Sequence, residues 1–289
     1  MRIMLFIATN IAIMALLGVT FSLLGFEGLL AQNGVDLDLT ALLVYSGVIG
    51  FAGALISLFL SKTMTIKSMR VQLIKQPSNN TELWLLNKVK EQSQKVGIGM
   101  PDVGIFQSDA ANAFATGWNK NSALVAVSTG LMREMTDDEV EAVLAHEVSH
   151  IANGDMVTMT LIQGVVNTFV VFLSRVIGHV VDRVVFKVER GHGPAFWIVS
   201  IIAEVILGVL AMMIVMWFSR LREYRADAGA AELVGKQKMI AALQRLNKGK
   251  EPAQVPDEMA ALAINAGKVH ALFSSHPPLE SRIEALRQR

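Results

Sequence analysis

The 289 residues carry 26 Lys and Arg against 25 Asp and Glu, and a net charge of +1 gives no argument for a nucleic-acid partner. The chain is 52% hydrophobic and only 18% charged, against about 25% charged in a typical soluble domain, so the composition is that of a membrane protein. Cysteine is absent, which excludes disulfides and thiolate metal sites; any bound metal must use His and carboxylate ligands.

Two charge-free runs open the chain, Ile3 to Leu24 and Leu39 to Leu60, each 22 residues. At 1.5 Å per residue each spans the ~30 Å hydrocarbon core, and both are predicted transmembrane helices. A cleaved signal peptide is the alternative for the first, but its apolar part exceeds the usual 7 to 15 residues and no small-x-small site follows; it reads as an uncleaved anchor. The segment between them, Gly25 to Asp38, has Glu27, Asp36 and Asp38 but no base, whereas Lys62, Lys67, Arg70 and Lys75 follow the second run. The positive-inside rule therefore puts the N-terminus and residues 61–155 in the cytoplasm.

Within residues 61–155, Thr81 to Val96 has the apolar spacing of an amphipathic helix. Val103 to Phe106, Asn112 to Thr116 and Ala123 to Ser128, bounded by Pro101, Gly117 and Asn121, read as short strands of a small sheet. Thr136-Asp137-Asp138-Glu139 is a capping box, and Val140, Val143, Leu144 and Val148 continue an apolar helical stripe behind it. On that helix lies His146-Glu147-Val148-Ser149-His150. Two histidines four apart share a helical face and can reach one Zn²⁺, while Glu147 flanks the metal as a general base and then acid. With 6 His in the chain, roughly 0.006 chance matches to this motif are expected, so accident is a poor explanation.

Two further apolar runs, Met156 to Val181 and Ala195 to Ser219, are interrupted by Gln163, Asn167, Arg175 and Glu204. Gln163, Asn167 and Glu204 serve either helix-to-helix hydrogen bonding or a polar path for substrate or water. The link between the runs carries Arg183, Lys187 and Arg190, against the positive-inside rule if it lies outside. Beyond the second run, Glu223 and Asp227 are four apart and share a helical face. Glu223 is the candidate third ligand, and Asp227 a carboxylate behind the metal that orients a ligand histidine, unless Arg220, Arg222 and Arg225 take it into surface ion pairs. Because His150 precedes the two runs and Glu223 follows them, the chain between must cross the membrane twice or not at all. Lys236 to Leu246 reads as helical and Gly249 to Asp257 as a loop, while His179, His192 and His270 lack ligand spacing.

The run His146 to Asp155 with its continuation to Val170, Asn112 to Gly117, Glu223-Tyr224-Arg225-Ala226-Asp227 and His276-Pro277-Pro278-Leu279-Glu280-Ser281-Arg282-Ile283 together resemble the HtpX heat-shock membrane proteases, bacterial relatives of the CAAX prenyl proteases. The resemblance covers nearly the whole chain. It implies a multi-pass zinc endopeptidase of the bacterial inner membrane, its active site facing the cytoplasm, acting on unfolded or damaged membrane proteins in quality control. It also implies that the strand at Asn112, Ala113, Phe114 and Ala115 borders the cleft, where an edge strand binds extended peptide, and that His276 lies near the metal as an oxyanion donor; Arg282 either supports that loop or pairs with a carboxylate.

The expected architecture is an α-helical membrane protein with four hydrophobic helices and an α+β, zincin-like cytoplasmic metalloprotease domain. Residues 1–60 form two transmembrane helices, 61–155 the first catalytic part, 156–219 a hydrophobic hairpin and 220–289 the second catalytic part. His146, His150 and Glu223 would hold one Zn²⁺ per chain. The alternatives are a prenyl-protein protease, for which four segments look too few to enclose a chamber, and a non-catalytic zinc scaffold, for which Glu147 would have no use.

Overall fold

The computed structural model describes Val19, Gly28, Gln32 and residues 37–189, 191–248 and 275–289. The expectations for Ile3 to Leu24, Gly249 to Asp257, Arg190 and His270 lie outside these residues, apart from Val19. Contacts divide the chain into two compact units, residues 1–56 with 160–215 and residues 57–159 with 216–289.

Three helices among the described residues are long and apolar enough to cross a membrane: α1 (Leu39–Ser68), α5 (Asp155–Val180, continued by a π-helical turn Val181–Val185) and α6 (Pro194–Val234). Each outruns the apolar stretch that signals it. In α6 no Gly or Pro stands between Gly208 and Gly229, so the helix runs on past Ser219 through Glu223 and Asp227. At 1.5 Å per residue its 41 residues extend about 60 Å, twice the ~30 Å hydrocarbon core. Val44, Val48, Ile56, Ile201, Val205 and Ile206 are each more than half exposed, an apolar surface that a bilayer covers.

In the first unit the helices meet through small residues. A Cβ on Gly50 would stand 2.6 Å from Thr168 Oγ1, and one on Gly164 2.9 Å from the Phe51 ring. Gln163 donates to Asn167 one turn along the same helix (2.8 Å), while Glu204 pairs with Arg175 of the neighbouring helix (3.7 Å).

The second unit is built on a four-stranded mixed sheet of β1 (Gln72–Leu73), β2 (Asp102–Phe106), β3 (Ala113–Gly117) and β4 (Ala123–Ser128), in the order β1-β2-β4-β3. β2 and β4 pair in parallel; the outer pairings are antiparallel. Every residue of central β4 is buried, and β3 forms an edge. Around the sheet lie α2 (Asn80–Lys95), α3 (Thr129–Glu134), α4 (Asp137–Asn153), α7 (Lys236–Lys248) and α8 (Leu279–Arg287). α4 is the centre of this core: Val140, Leu144, Val148 and Ile151 are at most 1% exposed and pack with Leu85, Val127 and Leu243. Its polar flank is held as well, since Glu141 receives Lys88 (2.7 Å) and Lys238 (2.6 Å) and Gln92 donates to the Glu141 carbonyl (2.9 Å).

Candidate metal centre

The capping box at the start of α4 is formed in both directions: Glu139 N–H donates to Thr136 Oγ1, and Thr136 N–H to Glu139 Oε2. It fixes the register of the helix that carries His146, Glu147 and His150. α4 ends at Gly154, whose φ of 69° is the left-handed cap that glycine adopts without steric cost. The chain turns there, and Asp155 at the head of α5 comes back onto the helix it has just left.

His146 Nε2 and His150 Nε2 lie 3.1 Å apart. Glu223 Oε2 is 3.5 Å from the first and Glu223 Oε1 is 3.3 Å from the second. These three residues form the candidate metal-ligating group found among the described residues. Ligand atoms about 2.0–2.1 Å from a tetrahedral metal stand about 3.3–3.4 Å apart; the two Nε2 atoms are close to that spacing, and Glu223 approaches each ring with a different carboxylate oxygen. α6 can bring Glu223 this close because Gly229 lies against α4, where a Cβ would be 2.7 Å from Ser149 Oγ.

The outer ring nitrogens explain why the inner ones are free to bind a cation. His150 Nδ1 is 2.6 Å from Asp155 Oδ2, and His146 Nδ1 is 3.0 Å from Asp227 Oδ1. With a carboxylate against each Nδ1, a ring acting as a metal ligand would carry its hydrogen there and turn its Nε2 lone pair toward the other ring and toward Glu223. Three acceptors converging in a buried place require a positive charge between them. The donor set, two imidazoles and a carboxylate, is that of a hydrolytic zinc site with one position left for water.

Protonation tells the same story. Burial works against a charge on His150, but the hydrogen bonds to Asp155 and Glu223 and the nearby Glu147 outweigh it and push the ring up to about 10. His146 is raised likewise, burial being overcome by Asp227 and Glu223. Burial also opposes ionisation of Glu223 and Asp227, yet the histidines around the first, and Arg282 with His146 beside the second, hold both carboxyls below the usual range. Positive charge is stabilised at this point whether ring protons or a divalent ion supplies it.

Asp227 meets none of its three local arginines in an ion pair. It is 1% exposed, and its bidentate partner is Arg282 of α8, with Nε to Oδ2 at 2.8 Å and Nη2 to Oδ1 at 2.6 Å. Arg282 Nη1 also lies 3.4 Å from Glu223 Oε2, so one guanidinium bridges the two buried carboxylates. His276 Nδ1 is 2.6 Å from Glu223 Oε2, and the side chain is 59% exposed. Glu147 is partly buried beside the cluster on α4. Asn112, Ala113, Phe114 and Ala115 lie at and within edge strand β3, which packs against α4. The Ser128 N–H bonds the Asn112 carbonyl, so in this antiparallel register Asn112, Phe114 and Thr116 face β4 and the main-chain groups of Ala113 and Ala115 point away from it.

Two residues at the centre carry no signal of helical spacing. Asp155 stands five residues after His150, off the α4 face, and reaches it only because Gly154 turns the chain. Arg222 bonds the Asp155 carbonyl (3.5 Å) and Ser219 Oγ (2.9 Å), tying α6 to the head of α5. The glycine directly after a capped helix and directly before an acid is the signal that could have found Asp155.

Comparison with known proteins agrees with this chemistry. Residues 79–289 match the model of peptidase family M48. The chain is 70% identical to protease HtpX of Pseudoalteromonas atlantica over 287 residues, covering 99% of both chains, and 60% identical to protease HtpX of Thioalkalivibrio sulfidiphilus, covering 99% of this chain and 98% of that one. Its fold is similar to the crystal structure of S. mikatae Ste24p, with a TM-score of 0.61 at 19% identity, covering 97% of this chain and 66% of that one. The chain belongs to peptidase family M48, and the relatives named protease HtpX match it along its whole length.

Proposed function

We propose that this membrane metalloprotease is a zinc-dependent endopeptidase of the bacterial inner membrane, multi-pass and with a cytoplasmic active site, that degrades unfolded or damaged membrane proteins in quality control. The observation that carries the chemistry is the convergence of two Nε2 lone pairs and the Glu223 carboxylate, each ring backed by its own acid, with Glu147 next to His146 on the same helix. His146, His150 and Glu223 would hold the ion. The chemistry a zinc ion would supply there is Lewis-acid polarisation of the peptide carbonyl and acidification of a water.

The chain's own residues do the rest. Glu147 takes the proton from the attacking water and delivers it to the leaving amine. Asp155 and Asp227 keep the imidazoles in the tautomer that faces the metal, and Arg282 holds Asp227 and Glu223 in place. His276, whose Nδ1 lies against Glu223 Oε2, is the ring that would turn Nε2–H toward the developing oxyanion. The outward main-chain groups of Ala113 and Ala115 support binding of extended peptide along Asn112 to Ala115, largely independent of side-chain identity, as substrates defined by unfolding rather than sequence require.

In this reading residues 61–155 and 220–289 fold together as a zincin-like catalytic domain. Residues 1–60 and 156–219 supply four hydrophobic helices, and the exposed apolar faces of α1 and α6 support their contact with lipid. The test is degradation of an unfolded protein in detergent with and without a chelator. Activity should vanish on chelation and return with one equivalent of zinc; chelator-insensitive cleavage would contradict the proposal.

A further inference from the structure

A second pair of histidines stands in the other compact unit. His179 lies in the last turn of α5 and His192 in the link that leads to α6, thirteen residues on, yet their Nε2 atoms are 3.0 Å apart and their ring centroids 4.6 Å. His146 and His150 have almost the same relation, 3.1 Å and 4.6 Å. The geometry points to a second binding site, formed by His179 and His192, for a borderline divalent transition cation such as Zn²⁺ or Cu²⁺, tying the end of α5 to the start of α6.

The pair is held by built features of the link. The Gly193 N–H donates to Asp182 Oδ2 (2.8 Å), and a Cβ at Gly193 would stand 2.7 Å from Asp182 Oδ1, so only glycine lets the link approach this close. Gly191, on the other side of His192, takes a φ of 70°. Phe196, 3% exposed, packs on both rings, at 4.8 Å from His179 and 4.0 Å from His192.

Without metal, one neutral imidazole donates Nε2–H to the other. A cation replaces that proton with two nitrogen bonds and needs the nitrogens to part by only a few tenths of an ångström, to the ~3.3 Å edge of a tetrahedral site. Imidazole pairs suit Zn²⁺, Cu²⁺ and Ni²⁺ rather than hard cations, and His192 is exposed, so water can complete the coordination. The Asp182 carboxylate, 1% exposed and one turn beyond His179, lowers the cost of placing positive charge there. Its Oδ1 has no hydrogen-bond partner among the described residues. Arg183, next along the chain, donates Nη1 to the Val188 carbonyl (2.5 Å), and its charge acts at His179 against that of Asp182.

The experiment uses the full chain in detergent, without a histidine tag, titrated with Zn²⁺. The parent should take up a tight equivalent and a weaker second one. His179→Ala and His192→Ala should each lose the second equivalent while keeping the first and the proteolytic activity, and His146→Ala should show the reverse pattern of loss. Cu²⁺ added to zinc-loaded parent should show imidazole nitrogen couplings in electron paramagnetic resonance, a reading that needs no variant to fold. A parent that binds one equivalent only, a second equivalent that survives both alanine variants, or copper with oxygen couplings alone would each overturn the site.

Discussion

Arg282 is where stability and metal binding are most tightly joined, and Arg282→Met removes its charge while keeping most of its stem. Three contacts go with it: the fork onto Asp227 at 2.8 and 2.6 Å and the approach to Glu223 at 3.4 Å. Both carboxylates are at most 2% exposed, so the variant leaves two buried charges short of a partner. Breaking a buried pair from one side costs about 3–5 kcal/mol. At about 2–4 °C per kcal/mol for a domain of 150–250 residues, chelated protein should melt about 6–20 °C below its parent. Zinc should recover part of the loss, because a divalent ion at Glu223 supplies some of the missing charge. Arg282→Lys should fall between the two, a point charge being unable to fork onto both Asp227 oxygens. Differential scanning fluorimetry in a Glu147→Ala background, which prevents self-cleavage, reads all three. A midpoint for Arg282→Met within 2 °C of the parent, with and without zinc, would refute the claim that this guanidinium bridges two ionised buried carboxylates.

Glu223→Ala should lose both tight zinc binding and activity, whereas Asp227→Asn and Asp155→Asn should each weaken zinc by about 10- to 100-fold, as read by chelator competition; full affinity in Glu223→Ala would mean the third ligand lies elsewhere. The raised His150 group gives metal uptake a pH dependence: the ring keeps its proton up to about 10, so zinc affinity should rise about tenfold per pH unit from pH 6 to 8 for each ring proton displaced, and a flat profile would contradict this. In chelated protein the same shift stabilises the fold below pH ~6.5 and fades as the pH rises through about 10. Reporters fused after Lys75 and Lys248 should both read cytoplasm and one after Asp36 outside; one after Gly191 should read outside if the hairpin spans, and opposite readings at Lys75 and Lys248 would be incompatible with one shared metal ion.

Features encoded in short windows are legible in the sequence alone. The capping box and the two histidines of α4 lie within fifteen residues, and the helix they imply is there. The strands near Val103, Asn112 and Ala123 agree to within a residue. What escaped depends on chain reversal or distant packing. β1, two residues long, is too short for any period to register. Asp155 is invisible to helical spacing because a left-handed glycine intervenes, and although Arg282 reads as a candidate partner for a carboxylate, nothing in the sequence says that this is Asp227, 55 residues away, where burial decides the pairing and the three adjacent arginines do not. α6 shows the opposite limit. Polarity changes at Ser219, but polarity marks where a membrane ends and not where a helix does.

Glu147 is the residue that moves protons and does not hold metal, so proteolysis depends on it and zinc binding does not. Purified Glu147→Ala, assayed against an unfolded protein in detergent and analysed for metal in the same preparation, should keep its tight zinc equivalent per chain and lose proteolysis. Residual cleavage above a few per cent of the parent, with zinc still bound, would contradict it.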